Sequence, residues 1–155
     1  MAVQYFLKVD GIQGESKDAA HKDEIDVLSF AWGLTHSGAT PSGGGGGAGK
    51  ASFQDLHVVK RGDKASPKLF EACASGQHIK EVVLTCRRSG KNPLEFLRYK
   101  LSNVVVTSYQ VGGSAPDAPT DQSSFNFDKI EMEYRAASAQ PAVRAGWDIA
   151  ADKKF

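Results

Sequence analysis

The chain has 155 residues, 41% hydrophobic and 24% charged, with 16 glycines, 6 prolines and two cysteines. That length suits one domain over residues 1–155, which buries roughly 70% of its unfolded surface and needs no disulfide or metal to fold. Nineteen basic against eighteen acidic side chains give a net charge of +1, which argues against a dedicated polyanion binder and against charge-driven disorder.

The longest apolar runs, at residues 30–32, 82–84 and 104–106, are far below the ~18 residues of a membrane helix, so no membrane insertion is expected. Residues 1–8 have no basic leader and no apolar stretch of signal length, which predicts synthesis in a reducing cytosol without a signal peptide. Cys73 and Cys86 form no C-x-x-C pair and are expected as small buried hydrophobes.

Taken in chain order, most of the sequence alternates with period two. Val3, Tyr5, Leu7 and Val9 share one face of a first strand that Asp10-Gly11 closes, and residues 11–23 read as a polar loop. A second strand is expected over Glu24–Gly33. Its bulky residues, Leu28, Phe30 and Trp32, suit a packed core. The small ones, Ser29, Ala31 and Gly33, suit a face that must leave space.

Residues 34–49 read as one long loop because Gly43, Gly44, Gly45, Gly46, Gly47 and Gly49 carry too much backbone entropy for a helix or strand. Strand character resumes at Lys50–Lys60. The single helix follows, with Ser66 as expected N-cap, Pro67 in the first turn, Gly76 as left-handed stop, and Leu69, Phe70 and Cys73 on one side. Further strands are expected over Gln77–Arg88, over Pro93–Val111 with a bend at Ser102-Asn103, and over Ser123–Arg135. In the last, Phe125 and Phe127 alternate at odd numbers but Ile130, Met132 and Tyr134 at even ones, which predicts a β-bulge at Asp128-Lys129. Gly146–Ile149 reads as a short terminal strand. Six to eight strands and one short α-helix make a mainly β chain, an antiparallel β-barrel or two packed sheets.

Candidate chemistry is sparse. Residues 44–50 match G-x-x-x-x-G-K, yet Ala51 stands where Ser or Thr would hold magnesium, and a strand follows instead of a helix. Ser16, Asp18, His21, Asp23, Glu24 and Asp26 gather acid, base and hydroxyl groups, but no nucleophile elbow presents the serine and His21 has no second histidine at ligand spacing. No cofactor, metal or catalytic residue is expected. Charge is segregated: residues 1–30 hold three basic and six acidic side chains, and residues 57–101 hold ten basic and four acidic. Complementary flanks of this kind allow head-to-tail pairing of copies. A different reading is a monomeric β-barrel that binds oligonucleotides through segment 57–101, with Lys60, Arg61, Lys64, Arg87 and Arg88 on phosphates and Phe96 and Tyr99 stacking on bases.

As a set, Gly14-Glu15-Ser16, His21, Glu24-Ile25-Asp26-Val27 through Trp32-Gly33, the glycine run at 43–49, Asp63-Lys64-Ala65-Ser66-Pro67, Cys73-Ala74-Ser75-Gly76 and Gly146-Trp147 resemble the haemolysin-coregulated protein (Hcp) family over nearly the whole chain. The resemblance implies a type VI secretion system protomer that forms homohexameric rings. These rings stack into a hollow tube similar to a phage tail tube. A contractile sheath drives the tube, with its spike, out of the bacterium, and the lumen holds small effector proteins. It implies no enzyme activity in the plain form of the family; no nucleic-acid partner is expected, nor a C-terminal toxin domain of the kind some members carry, since the sequence stops at Phe155. Segment 34–49 would be the family's extended loop, reaching a neighbouring ring or protomer through its glycines. The face pattern makes Ser29, Ala31 and Gly33 candidates for the lumen wall, and the oppositely charged segments candidates for protomer contacts.

Overall fold

The computed structural model describes residues 2–38 and 50–155 and places eleven strands and one helix among them. The glycines at 43–47 and 49, expected as contact residues, lie outside the described residues.

The strands close on themselves. Strand β1 (Val3–Val9) pairs with β2 (Ile25–Val27) on one side and β7 (His78–Arg88) on the other. β7 then pairs with β8 (Leu94–Gly112), β8 with β9 (Thr120–Tyr134), and β9 with β6 (Leu56–Arg61). β6 pairs with β3 (Ser29–Ala31), which continues from β2 through Leu28 and completes an antiparallel barrel. Beyond the barrel, β4 (Leu34–Ser37) and β5 (Lys50–Phe53) form a hairpin that prolongs the β3–β6 pair, while β10 (Val143–Asp148) and β11 (Lys153–Lys154) extend from the second half of β9.

The expected strand over Glu24–Gly33 is therefore two strands. Ile25 and Val27 point inward from β2, and Phe30 and Trp32 pack on the core after β3 begins, so the inward phase changes from odd to even at Leu28. Leu28 is 42% exposed and not a core residue. Its N–H donates to Val59 O at 2.8 Å, which hands the chain from β1 to β6. Residues 34–37, expected as loop, are strand β4, because alternation there is hidden by small polar residues.

A second change of phase crosses three strands together. Ile79, Val104 and Phe127 form one buried cross-strand row, and Val82, Leu101 and Ile130 form the next. Between them Asn103 takes a left-handed conformation at φ 54°. The phase slip expected at Asp128-Lys129 thus exists, but β8 slips with β9 and their register is unchanged; the bulge between these strands lies instead between Val106 and Ser108.

Helix α1 (Ser66–Ser75) packs on β8 and buries Ala65, Leu69 and Ala72. Gly76 stops it at φ 69°, as expected. Two readings of this helix are corrected. The N-cap is Ala65, with no side-chain cap, because the Ser66 hydroxyl is engaged elsewhere. Phe70 is 60% exposed, since it lies off the Leu69–Ala72 stripe. Cys73 and Cys86 are free thiols, and burial pushes Cys86 up to about 11. No helix among the described residues is long and apolar enough to cross a membrane.

Candidate functional site

The outer face of β3 continues across three neighbouring strands. Ser29 lies beside Val59, Val59 opposite Gln122, and Gln122 opposite Gln110. One step along, Ala31 lies beside His57, His57 opposite Ser124, and Ser124 opposite Ser108. Directly paired residues point to the same side of an antiparallel sheet, so these eight form one surface. It carries hydroxyl, amide, imidazole and methyl groups and no carboxylate, ammonium or guanidinium. Ser29, Ala31, His57, Gln122 and Gln110 are exposed. Gly33, grouped with Ser29 and Ala31 in the sequence, lies past the end of β3 and is half-buried, where its backbone accepts a hydrogen bond from Gln54.

Hydroxyl bonding fixes the shape of this face. Thr107, at the bulge, donates to the Asp55 carboxylate at 2.6 Å, and Asn126 donates to the other oxygen of Asp55 at 2.9 Å. The hydroxyls of Thr107 and Ser108 both meet that of the buried Ser124. These bonds tie β8 to β9 and to Asp55 at one end of the face.

Beneath the sheet lies a buried ionic cluster. Lys60, 2% exposed, holds Asp63 at 2.7 Å and Asp121 at 3.0 Å, and donates to the Ser66 hydroxyl at 2.8 Å. Asp121 is 1% exposed and also accepts from the hydroxyls of Ser66 and Tyr109, the latter at 2.9 Å. Burial and the neighbouring Asp121 carboxylate raise the Tyr109 pKa. Charges this deep persist only when paired and hydrogen-bonded, and this cluster ties β6, β9, β8 and the start of α1 into one unit.

The segregated charges of the sequence are partly consumed inside the chain. Arg87 grips both oxygens of Asp18 at 2.6 and 2.8 Å, lies over the Phe6 ring, and donates to Gln4. This bidentate grip holds Asp18 down at about 2 from its ordinary 3.8. The Lys64 backbone N–H donates to Glu15. The polar loop of residues 11–23 is thus a cover strapped over β1 and β7. It seats His21 face to face with Phe6 at 4.4 Å, with Glu24 at 3.0 Å. Ser16 accepts from the Asp18 backbone, not from His21, so the acid, base and hydroxyl of that segment make no relay.

The same placement takes from the oligonucleotide reading most of its residues: Lys60 and Tyr99 are buried, Arg87 is bound to Asp18, and Arg88 covers Phe96, while Arg61 and Lys64 stay exposed. Among the described residues no three His, Cys, Asp or Glu side chains are grouped to hold a metal ion. What the two rows offer chemically is a set of neutral hydrogen-bonding groups.

The sequence grouped Ser29 with Ala31 but could not place His57, Gln110, Gln122 and Ser124 on the same face, because cross-strand neighbours are invisible in one chain. A signal existed within β9, where Gln122, Ser124 and Asn126 alternate with Asp121, Ser123 and Phe125.

A profile of the family described as type VI secretion system effector, Hcp, matches residues 6–134. The chain is 42% identical over 156 aligned positions to protein hcp1 of Pseudomonas aeruginosa, with 96% of each chain covered. Among solved structures, Hcp1 from Salmonella typhimurium superposes with a TM-score of 0.83 at 35% identity, covering 100% of both chains. A type six secretion system protein superposes with a TM-score of 0.91 at 32% identity, covering 99% of this chain and 100% of that one. Matched by the profile over most of its length, and by a relative over almost all of it, this chain belongs to the Hcp family and is a tube subunit of the type VI secretion system.

Proposed function

We propose that the chain acts as a single domain that closes with five further copies into a ring whose open centre is walled by the Ser29–Ala31 face, and that such rings stack into a conduit for effector proteins. One observation carries this reading. The sheet β3–β6–β9–β8 is unpaired at both flanks: among the described residues β3 pairs only with β6, and residues 106–112 of β8 pair only with β9. Open edges on a protein of this size invite pairing with another chain. A β3 edge and a β8 edge on opposite flanks of one sheet form a heterologous contact, which closes into a ring when the rotation per copy is right.

The four strands of each copy then continue into the next, and their neutral outer face turns toward the centre. With no fixed charge in its two central rows, that face holds a protein by weak, replaceable hydrogen bonds and permits release. The chain performs no catalysis in this role. Made in the cytosol, it leaves through the secretion apparatus, with sheath and spike proteins as its other partners. Negative-stain imaging of the purified protein tests the reading: rings with open centres are expected, and solitary compact particles would contradict it.

A further inference from the structure

Two apolar features remain unexplained by the sheet edges, and they lie on opposite flanks. On the β3 flank, hairpin β4–β5 stands away from β9 and β10 and leaves a cavity of about 640 Å³. Its walls include Trp32, Leu34, Phe53, Met132 and Trp147. Leu34 is 50% and Met132 38% exposed. A two-stranded hairpin is marginal in water unless its apolar face packs on something. Here Leu34 and Phe53 are directly paired and His36 lies opposite Ala51, so the hairpin carries its apolar pair toward the open cavity.

On the β8 flank stands Phe70 of α1. It is 60% exposed and leans on Tyr109 of β8, with ring centroids 6.3 Å apart. Val111, two residues further along the unpaired β8 edge, is 67% exposed. A large aromatic held out from a helix, beside an open strand edge, belongs to the residue class enriched at the cores of interfaces.

We propose that Phe70 of one copy of this chain seats in the Trp32–Leu34–Phe53–Met132–Trp147 cavity of the next. The inference rests on the ring reading above, which brings a β8 edge against a β3 edge. It goes further by naming the knob and the socket. The occupant is a second copy because the chain supplies both halves on opposite flanks of one sheet. Among the described residues neither half is covered within its own copy, and the sheet edges beside them run on into the same seam. Phe70 alone underfills the cavity, and Val111 travels with it.

Two surface variants separate this inference from the ring itself. Phe70→Glu removes the knob and leaves the socket; Met132→Glu spoils the socket and leaves the knob. Both sites face solvent in a lone copy, so both variants should retain the wild-type far-UV circular dichroism. Native mass spectrometry at micromolar concentration should show wild-type rings but each variant as monomer. An equimolar mixture of the two should give pairs containing one copy of each and nothing larger, since one intact knob meets one intact socket. Phe70→Ala, a milder truncation, should weaken assembly roughly 30-fold or more, as expected for the loss of an interface anchor. Variants that still form rings while folded, or monomeric variants that fail to pair on mixing, would overturn the knob-and-socket assignment and leave the ring reading standing. Wild-type protein that is itself monomeric would defeat both.

Discussion

At the scale of single residues, the most demanding group is Lys60. A lysine with 2% exposure between two carboxylates has exchanged hydration for three side-chain partners, Asp63, Ser66 and Asp121. Lys60→Ala leaves Asp121 buried without its cation and should destabilise the fold by roughly 3–5 kcal/mol in urea titrations. A variant as stable as wild type would mean that the cluster is dispensable. From sequence, Lys60 looked like part of a basic surface, because charge type is legible but burial across a sheet is not. Asp18 was likewise visible as an acid, while its grip by Arg87, 69 residues away, was not. The folded pKa of Asp18, about 2, lies below the ordinary 3.8, so this ion pair contributes stability that is fully present above pH 3.8 and is lost as pH falls toward about 2. Asp18→Asn should therefore flatten stability across that window and leave its slope near neutrality unchanged. A variant with the wild-type acid slope would show that the pair adds nothing.

Elements were legible where alternation is clean and long. Strands β1 and β7 to β9 fall within a few residues of their expected limits, since each is long and rich in alternating apolar residues. The helix was marked by Pro67 and Gly76, two residues whose backbone preferences are local. Shorter pieces were missed for a common reason. The β2–β3 handover at Leu28 and strand β4 are fixed by pairing partners elsewhere in the chain, which no local pattern records. The bulge was misplaced because a phase change in one strand cannot reveal that its neighbour changes too. Asn103 is the pivot of that shared change: it holds φ at 54° while its amide donates to Asp128. Asn103→Val should cost roughly 1–3 kcal/mol, and Asn103→Gly much less, because only the branched side chain resists the left-handed region. Equal melting temperatures for the two variants would refute this role. Gly76→Ala meets no neighbouring atom but must hold φ at 69°, so it should lower stability by about 1 kcal/mol.

For the whole molecule, the barrel was readable as a class, and the family resemblance supplied its use. The open flanks on which the proposed assembly rests emerged only from pairing: among the described residues, β3 and the far half of β8 each end the sheet on one side. A neutral face between two unsatisfied edges is what a subunit of a hollow cylinder requires, and a closed monomeric barrel would have no use for either edge. Native mass spectrometry of the wild-type chain tests this most directly. The account predicts a dominant species at six times the protomer mass; a spectrum of monomers at micromolar concentration would contradict it.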